Sequence, residues 1–302
     1  MSFVPWDSQP LLRWATKHAQ GRIINLGGHT THYLEQGEGE PVILLHGYFY
    51  DSFMWRRNLD ALSERFKVYA LDFWGSGYST RQPMEYGYEL FSAQLLMFMD
   101  ALGIPKASLI GQSMGGGVAM LFALQHRDRV DRLILASPAG LPNPLPLTGK
   151  LFNIGGLGEL LLALPTDAIR RAVLKRFWFA NPHALTWPEY EGTTRFQKIQ
   201  GTSATALSIL RKRFFDTLMP EIQQVASLAI PTLLVWGRQD RAIPLTVGRE
   251  MSRLLDNARL EVLDGAGHAA NIEQAEVFNS LALEFLSARL KLHIGARKDA
   301  LA

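Results

Sequence analysis

Short apolar runs alternate with longer helical patterns along most of the chain. The runs are nearly continuous in apolar character, which is typical of strands covered on both faces of a parallel sheet. They lie at 42–45, 68–71, 107–110, 133–136, 232–236 and 258–263, with helical patterns at 91–102, 116–125 and 275–290. Two further segments, 22–26 and 32–36, flank a Gly-Gly pair and predict an antiparallel hairpin. The alternation predicts an α/β fold with a mostly parallel, doubly wound sheet.

The region 141–224 breaks this alternation, because it contains no convincing strand pattern. It begins with a Pro-rich run at 141–146 and continues with helical patterns at 158–164, 167–177 and 204–218. A helical insertion of this size between two strands is most simply a cap, or lid, over the strand ends. The predicted organisation is an N-terminal segment with a possible helix (1–21), a core domain (22–140 and 225–292), the cap (141–224) and a C-terminal tail (293–302).

Composition excludes several classes of protein. The chain of 302 residues has no cysteine, which excludes disulfides, a thiol nucleophile and Cys-ligated metal centres. Its net charge of +3 is too small to indicate a nucleic-acid partner. The N-terminus lacks the pattern of a signal peptide, and the most apolar stretch, 157–164, is too short to span a bilayer. We therefore expect a cytoplasmic protein without stable membrane insertion, and the oligomeric state stays open.

The segment Gly111-Gln112-Ser113-Met114-Gly115 is a G-x-S-x-G motif. It directly follows one predicted strand and opens a predicted helix, which is the setting that a nucleophile elbow requires. Glycines permit so tight a turn, while the serine is held in a strained conformation with its hydroxyl exposed. The free N–H groups at the helix N-terminus also face the reacting centre. The motif therefore predicts that Ser113 is a catalytic nucleophile.

A serine nucleophile needs a base, and the base needs a carboxylate. Asp240 follows the predicted strand 232–236, and His268 follows the predicted strand 258–263. In a parallel sheet both lie at the same edge as Ser113, where ligands bind. We predict that His268 accepts the Ser113 proton through one ring nitrogen while Asp240 holds the proton on the other.

Acyl chemistry also needs two hydrogen-bond donors for the oxyanion. The backbone N–H of Met114 is one candidate, and that of Tyr48, after His46-Gly47, is the other. His46 is expected to shape the turn and not to act as a second base. We find no donor set in the sequence that indicates a metal or another cofactor, so none is predicted.

These motifs resemble those of the α/β-hydrolase superfamily, and the resemblance extends from about residue 22 to about residue 290. The features that carry it are His46-Gly47, the segment 72–79, the Ser113 elbow, the segment 236–240 and Gly267-His268. The resemblance implies a Ser113–His268–Asp240 triad, a cap domain and no cofactor. The segment 72–79 resembles a structural loop of the superfamily.

Esters are the commonest substrates for this constellation of residues. We therefore predict a carboxylesterase that acts through an acyl-enzyme intermediate on a small-molecule ester, or a related carbonyl compound, with an apolar group. The cap is rich in side chains that suit such a group: Phe152, Leu160, Leu161, Leu162, Phe177, Trp178, Phe179 and Trp187. The candidates for substrate contact are Tyr48, Phe49, Trp178, Arg170 and Arg171.

Two alternatives stay open. The segments 237–244 and 276–279 resemble meta-cleavage-product hydrolases, which cleave a carbon–carbon bond and bind the substrate carboxylate with a cap arginine; Arg170 or Arg171 could serve. Two features differ from that family: the loop 46–50 lacks the usual Gly/Pro-rich form, and Ala269 stands where an aromatic residue often follows the histidine. The second alternative is a non-catalytic, ligand-binding member of the fold.

The cap also carries a group of basic residues. They are interpreted as a solvated face of the cap and not as an anion site. Arg170 and Arg171 are exceptions only if the protein is a carbon–carbon hydrolase, where either could bind the substrate carboxylate. The group comprises Arg170, Arg171, Lys175, Arg176, Arg211, Lys212 and Arg213.

Overall fold

The apolar runs form a single sheet in the computed structural model, which describes residues 3–144 and 147–288. The strands are β1 (Arg22–Leu26), β2 (His29–Gln36), β3 (Pro41–Leu45), β4 (Lys67–Leu71), β5 (Ala107–Gln112), β6 (Val130–Ala136), β7 (Thr232–Gly237) and β8 (Ala258–Leu263). Their order in the sheet is β1-β2-β4-β3-β5-β6-β7-β8. The pairs β1–β2 and β2–β4 are antiparallel, and the other neighbours are parallel. The predicted fold class is confirmed.

Helices connect the strands and cover the sheet. They are α1 (Leu11–His18), α2 (Leu59–Ser63), α3 (Tyr88–Ala101), α4 (Met114–Gln125), α5 (Leu147–Phe152), α6 (Leu157–Ala163), α7 (Ala168–Phe177), α8 (Trp187–Thr194), α9 (Thr202–Arg211), α10 (Met219–Ala226), α11 (Leu245–Leu254), α12 (Ala270–Glu273) and α13 (Ala275–Ser287). The predicted tail 293–302 and the last residues of the predicted helix 275–290 lie outside the described residues.

Two apolar cores lie on opposite faces of the sheet. Successive residues of a strand point to opposite faces, and β3 shows this directly. Ile43 and Leu45 belong to the core that also contains α3 and α4 residues, whereas Val42 and Leu44 belong to the core beneath α13. All four side chains are buried. Burial on both faces explains why the strands read as continuous apolar runs.

The chain between β6 and β7 is helical, as the sequence pattern indicates, but its boundaries differ from those predicted. The helix expected over 204–218 is wrong: α9 ends at Arg211, and Arg213 has a φ of 52°. α10 then begins at Met219, with Pro220 in its first turn, and it packs against α4 with Ile222 and Val225 in the sheet's own core. The predicted cap boundary at 224 therefore falls inside α10, a helix that packs on α4.

The N-terminal segment packs against the helical insertion. The indole N–H of Trp14 in α1 donates to the backbone oxygen of Arg195 at 3.0 Å. A parallel bridge joins Gln9 to Ile199. Among the described residues, no helix is both long enough and apolar enough to cross a bilayer.

Buried carboxylates tie together the loops at the carboxyl edge of the sheet. Asp72, directly after β4, accepts hydrogen bonds from Ser52 N (2.7 Å) and Tyr78 N (2.9 Å) and pairs with His32 Nδ1 at 2.7 Å. Although burial opposes ionisation of both groups, their attraction lowers the pKa of Asp72 and raises the pKa of His32. Burial raises the pKa of neighbouring Asp51 well above its usual range, and the Asp72 charge adds to this effect. The pKa values of two carboxyl groups in one buried cluster are therefore shifted in opposite directions.

The raised pKa of Asp51 makes stability depend on pH. Between the unfolded and folded pKa values the folded protein holds this proton and the unfolded chain has lost it, so stability falls as pH rises from about 4. Asp51→Asn keeps an oxygen for the hydrogen bond from Phe53 N and has no proton to lose. We expect the free energy of unfolding of the variant, relative to that of wild type, to be higher at pH 8 than at pH 5 by about 1 kcal/mol or more. Urea denaturation at both pH values measures this gain.

The matched control is Asp256→Asn, since Asp256 is exposed in the loop before β8. The prediction for Asp51 is wrong when its substitution has the same effect at pH 5 and pH 8.

Candidate active site

Ser113 occupies the turn between β5 and α4. Its φ of 51° and ψ of −118° lie outside the regions that non-glycine residues normally adopt. The turn is this tight because α4 starts directly against the sheet: a Cβ at Gly115 would collide with the Leu45 carbonyl, and one at Gly111 with the backbone of Gly115. The hydrogen bond from Ser113 N to Ala136 O at 3.0 Å fixes the turn to the end of β6. Ser113 borders a cavity between the sheet edge and the helical insertion.

Asp240 and His268 form a buried pair after β7 and β8. His268 Nδ1 lies 2.8 Å from Asp240 Oδ2, and the two residues are 3% and 6% exposed. The other carboxylate oxygen, Oδ1, accepts hydrogen bonds from Ala242 N (2.9 Å) and Ile243 N (2.8 Å). A carboxylate that only accepts places the shared proton on Nδ1, which leaves Nε2 as the basic nitrogen of His268.

The three predicted catalytic residues lie at one edge of the sheet. Ser113 and His268 border the same cavity. Gln112 links their loops, since its side-chain amide donates to the backbone oxygen of His268 at 3.0 Å. Among the described residues, no hydrogen bond joins the side chains of Ser113 and His268. Such bonds are often long until substrate binds, so the arrangement is compatible with general-base activation of the serine.

The two predicted oxyanion donors also lie beside Ser113. A Cβ at Gly47 would lie 3.2 Å from Ser113 Cβ, which shows how closely the loop before Tyr48 approaches the serine. Met114 N opens α4 on the other side. Within the described part of the chain, neither Tyr48 N nor Met114 N donates to a protein acceptor. The Tyr48 hydroxyl instead donates to Ala206 O in α9 at 2.8 Å, which turns the ring toward the helical insertion.

His46 holds the loop before Tyr48 and is not among the described residues that line the cavity. It is fully buried, its Nδ1 lies 2.8 Å from Gly47 O, and its Nε2 accepts from Phe73 N at 3.0 Å. Burial lowers the pKa of His46, so it is neutral and able to accept this hydrogen bond.

A cavity of about 260 Å³ lies between the sheet edge and the helical insertion. Its walls are mostly apolar, and the insertion contributes Phe152, Leu161, Leu162, Phe177 and Trp178. Trp178 packs its ring edge-on against His268, with ring centroids 5.1 Å apart. Three other apolar residues expected to suit a substrate lie elsewhere: Leu160 and Trp187 are exposed, and Phe179 belongs to the core.

Four of the five predicted contact residues border the cavity: Tyr48, Phe49, Trp178 and Arg170. Arg171 does not, and this part of the prediction is wrong. Its guanidinium lies over the exposed Trp187 ring, with a distance of 5.6 Å to the centroid. Consecutive residues of a helix point about 100° apart, so only one of the two arginines of α7 faces inward.

Arg170 is 7% exposed, so the interpretation of the basic residues of the cap as one solvated face is wrong for this residue. Its Nε donates to Gln197 Oε1 at 3.0 Å, and its Nη2 donates to Leu162 O at 2.7 Å. No carboxylate of the described residues lies within ion-pair distance of it. Burial lowers its pKa to about 10, which leaves the guanidinium charged at neutral pH. Buried charges are normally paired. Arg170 has no ion-pair partner among the described residues, and the more distant carboxylates of Asp167 and Asp7 offset only part of the effect of burial.

Glu273 joins the His268 loop to the helical insertion, and no motif in the sequence singled it out. Its Oε2 accepts from Gly267 N (2.7 Å) and Ala180 N (2.9 Å), and its Oε1 accepts from Asn181 N (3.0 Å). A further hydrogen bond, from Ala269 N to Trp178 O at 2.9 Å, joins the same two segments. The carboxylate therefore fixes the insertion and His268 relative to each other. Gln197, in the 3-10 turn Arg195–Lys198, was also missed, because nothing in its sequence context indicates a site.

We expect Glu273→Ala to slow the modification of Ser113 by a fluorophosphonate about tenfold, because three N–H donors beside His268 lose an ionised acceptor. Glu273→Gln keeps an acceptor oxygen and should restore most of the rate. Labelling kinetics measure this, and the melting temperature separates it from global unfolding.

Glu276→Ala is the matched control, since Glu276 is exposed three residues further along. Equal labelling rates for wild type and Glu273→Ala would show that Glu273 has no positioning role.

Comparison with known proteins identifies the family. The family model described as alpha/beta hydrolase fold matches residues 40–275. Curated relatives include the 2-hydroxy-6-oxo-6-(2'-aminophenyl)hexa-2,4-dienoic acid hydrolase of Metapseudomonas resinovorans, 30% identical, with 89% of this chain and 91% of the relative covered. The 2-hydroxy-6-oxo-6-phenylhexa-2,4-dienoate hydrolase of Comamonas testosteroni is 32% identical, with 91% and 97% covered. A solved meta-cleavage product hydrolase from Pseudomonas fluorescens IP01 has a TM-score of 0.75 at 31% identity, with 88% and 97% covered.

The chain therefore belongs to the α/β-hydrolase fold family, and it is a hydrolase. The prediction of a carboxylesterase is wrong, because these relatives are named for dienoate and meta-cleavage-product hydrolysis. The motifs could not separate the two reactions, since a serine nucleophile, its base and two oxyanion donors suit attack on the carbonyl group of either substrate. The two reactions differ in the leaving group, and the motifs do not include the residues that would bind it.

Proposed function

We propose that the protein hydrolyses a carbon–carbon bond in a 2-hydroxy-6-oxo-2,4-dienoate, a meta-cleavage product. The observation that carries the proposal is a buried Arg170, without an ion-pair partner among the described residues, in the same cavity as Ser113 and His268. A simple ester has no group that needs such a cation, whereas the dienoate has a carboxylate at C1. The named activities of the relatives support the same substrate class.

Arg170 is suited to bind this carboxylate. Its Nε and Nη2 are held by Gln197 and Leu162, and its Nη1 has no protein acceptor among the described residues. A guanidinium fixed by two hydrogen bonds loses little side-chain freedom when an anion binds. Because the cavity is mostly apolar, attraction between the guanidinium and a carboxylate is stronger there than in water.

Breaking a carbon–carbon bond requires that carbon leave as a stabilised anion. The dienol first moves the proton of its 2-hydroxyl to C5, which gives a 2,6-dioxo compound. Ser113 Oγ then attacks the C6 carbonyl while His268 Nε2 takes the serine proton, and the backbone N–H groups of Tyr48 and Met114 stabilise the oxyanion. When C5–C6 breaks, the electron pair moves through C3 and C4 to the oxygen on C2, which is the end of the substrate that Arg170 binds.

The remaining steps restore the enzyme. His268 gives its proton to the oxygen on C2, which releases a 2-hydroxy-2,4-dienoate. The acyl group from C6 stays as an ester of Ser113, and water activated by His268 hydrolyses it to a carboxylic acid. The sum is one dienoate and one water giving two acids. Asp240 holds the tautomer of His268 throughout, and the apolar side chains Phe152, Leu161 and Phe177 surround the substituent on C6.

The reaction is tested with 2-hydroxy-6-oxo-6-phenylhexa-2,4-dienoate, followed by loss of its conjugated absorbance, and with p-nitrophenyl esters of graded chain length. We expect kcat/KM to be higher for the dienoate than for every ester. Ser113→Ala should lower the dienoate rate by at least about 10³-fold, since it removes the nucleophile. Ser280→Ala, on the exposed face of α13, is the control. Background turnover of the dienoate with efficient ester turnover contradicts the proposal.

We expect Arg170→Gln to raise KM for the dienoate about 10- to 100-fold, because a charge-assisted hydrogen bond is worth about 1.5–3 kcal/mol. KM for p-nitrophenyl acetate, which has no carboxylate, should stay nearly constant. The control is Arg171→Gln, which changes the neighbouring arginine that faces away from the cavity. The role assigned to Arg170 is wrong when the KM values for both substrates rise together.

A further inference from the structure

The segment 3–9, which we call the N-terminal strap, lies along the outer side of Arg170 and turns at Trp6 and Asp7, where Asp7 has a φ of 56°. Backbone bonds fix it to the turn that carries Gln197: Asp7 N donates to Gln197 O (3.1 Å), and Gln9 N donates to Lys198 O (2.8 Å). The Asp7 carboxylate accepts from Thr202 N at 3.0 Å. These hydrogen bonds fix the strap to the helical insertion, although the strap lies outside the residues 40–275 that match the family model.

Trp6 is the point where the strap meets the arginine. Its side chain is 6% exposed, and its indole N–H donates to Thr166 O at 3.3 Å. The Arg170 guanidinium carbon lies 3.9 Å from the centroid of the Trp6 ring. Lys198 Nζ also lies over this ring and donates to Val4 O in the strap at 2.7 Å. A planar guanidinium stacked on an indole is a favourable cation–π contact, and it is stronger when both groups are buried.

Arg170 is thus held from two sides, and the strap takes part in both. On one side Gln197 accepts from Arg170 Nε through its side chain and from Asp7 N through its backbone oxygen. On the other side the Trp6 ring covers the face of the guanidinium. Without the ring, the guanidinium loses a flat support and its buried charge becomes open to water. Either change weakens an ion pair formed on the cavity side of Arg170.

We propose that the N-terminal strap positions the anion-binding group of the cavity, with Trp6 as the positioning residue for Arg170 and a carboxylate as the anion. The inference rests on the proposed function, which assigns the substrate carboxylate to Arg170. It adds that recognition of the carboxylate depends on a segment that precedes the residues matching the family model. The chemical step at Ser113 does not depend on that segment.

The test uses the full chain and a stable carboxylate, so it does not depend on turnover of a dienoate. Calorimetric titration measures Kd for benzoate and for its neutral counterpart benzamide. We expect Trp6→Ala to raise Kd for benzoate about tenfold and Trp6→Phe, which keeps an aromatic face, about threefold or less. Kd for benzamide should stay nearly constant in both variants, as should the melting temperature of Trp6→Phe.

Two controls isolate the contact. Trp187→Ala removes the ring stacked on the outward-facing Arg171 and should leave Kd for benzoate unchanged. In an Arg170→Gln background, Trp6→Ala should change Kd for benzoate no further, because the partner through which Trp6 acts is gone.

Three results would overturn the inference: benzoate binding to wild type that is no tighter than benzamide binding, equal Kd for benzoate in wild type and Trp6→Ala, or an equal loss of benzoate and benzamide affinity. Failure of the proposed function has a different signature, since the dienoate would then not be cleaved while Trp6 still governed the preference for benzoate.

Discussion

The strained turn at Ser113 is the constraint on which the rest of the site depends. α4 begins so close to β3 and β5 that only glycine fits at positions 111 and 115, and Ser113 between them has a φ of 51°. The same closeness places the serine at the carboxyl edge of the sheet, where the loops after β3, β7 and β8 also end. Asp240 and His268 then need only short loops to reach it. The strain is maintained by the buried sheet on either side.

The cavity beside this turn combines an apolar wall with one buried cation. Arg170 has hydrogen-bond partners but no carboxylate within ion-pair distance in the described part of the chain, so its charge is available to a ligand. This separates the present site from one that needs only to accept an apolar acyl group. The Glu273 carboxylate links the wall to His268, and the Trp6 ring covers the arginine from outside. The insertion therefore forms a wall of the cavity, and the N-terminal strap contacts one residue of that wall from outside.

Much of the fold followed from local patterns, and the errors have physical causes. The parallel strands were predictable because burial on both faces leaves a continuous apolar run. The helix expected over 204–218 ends at Arg211, because the backbone of Arg213 is left-handed and cannot continue it, and a separate helix begins at Met219 and packs on α4. The two arginines of α7 were indistinguishable in sequence, since periodicity in a short polar helix does not show which side faces a cavity. The wrong ester prediction has a similar origin, because the motifs report the attacking groups and not the leaving group.

By itself the sequence determined the α/β class, the order of strands and helices, and the three residues Ser113, Asp240 and His268 as candidates, because each follows a recognisable strand. Only the tertiary structure decided which side chains surround the cavity. Arg170 and Gln197 of the insertion border the cavity. Trp6 of the N-terminal strap and Glu273 of the helix after His268 contact the residues around it from outside. Contacts between segments so far apart in the chain depend on packing geometry, and no local pattern of residues records them.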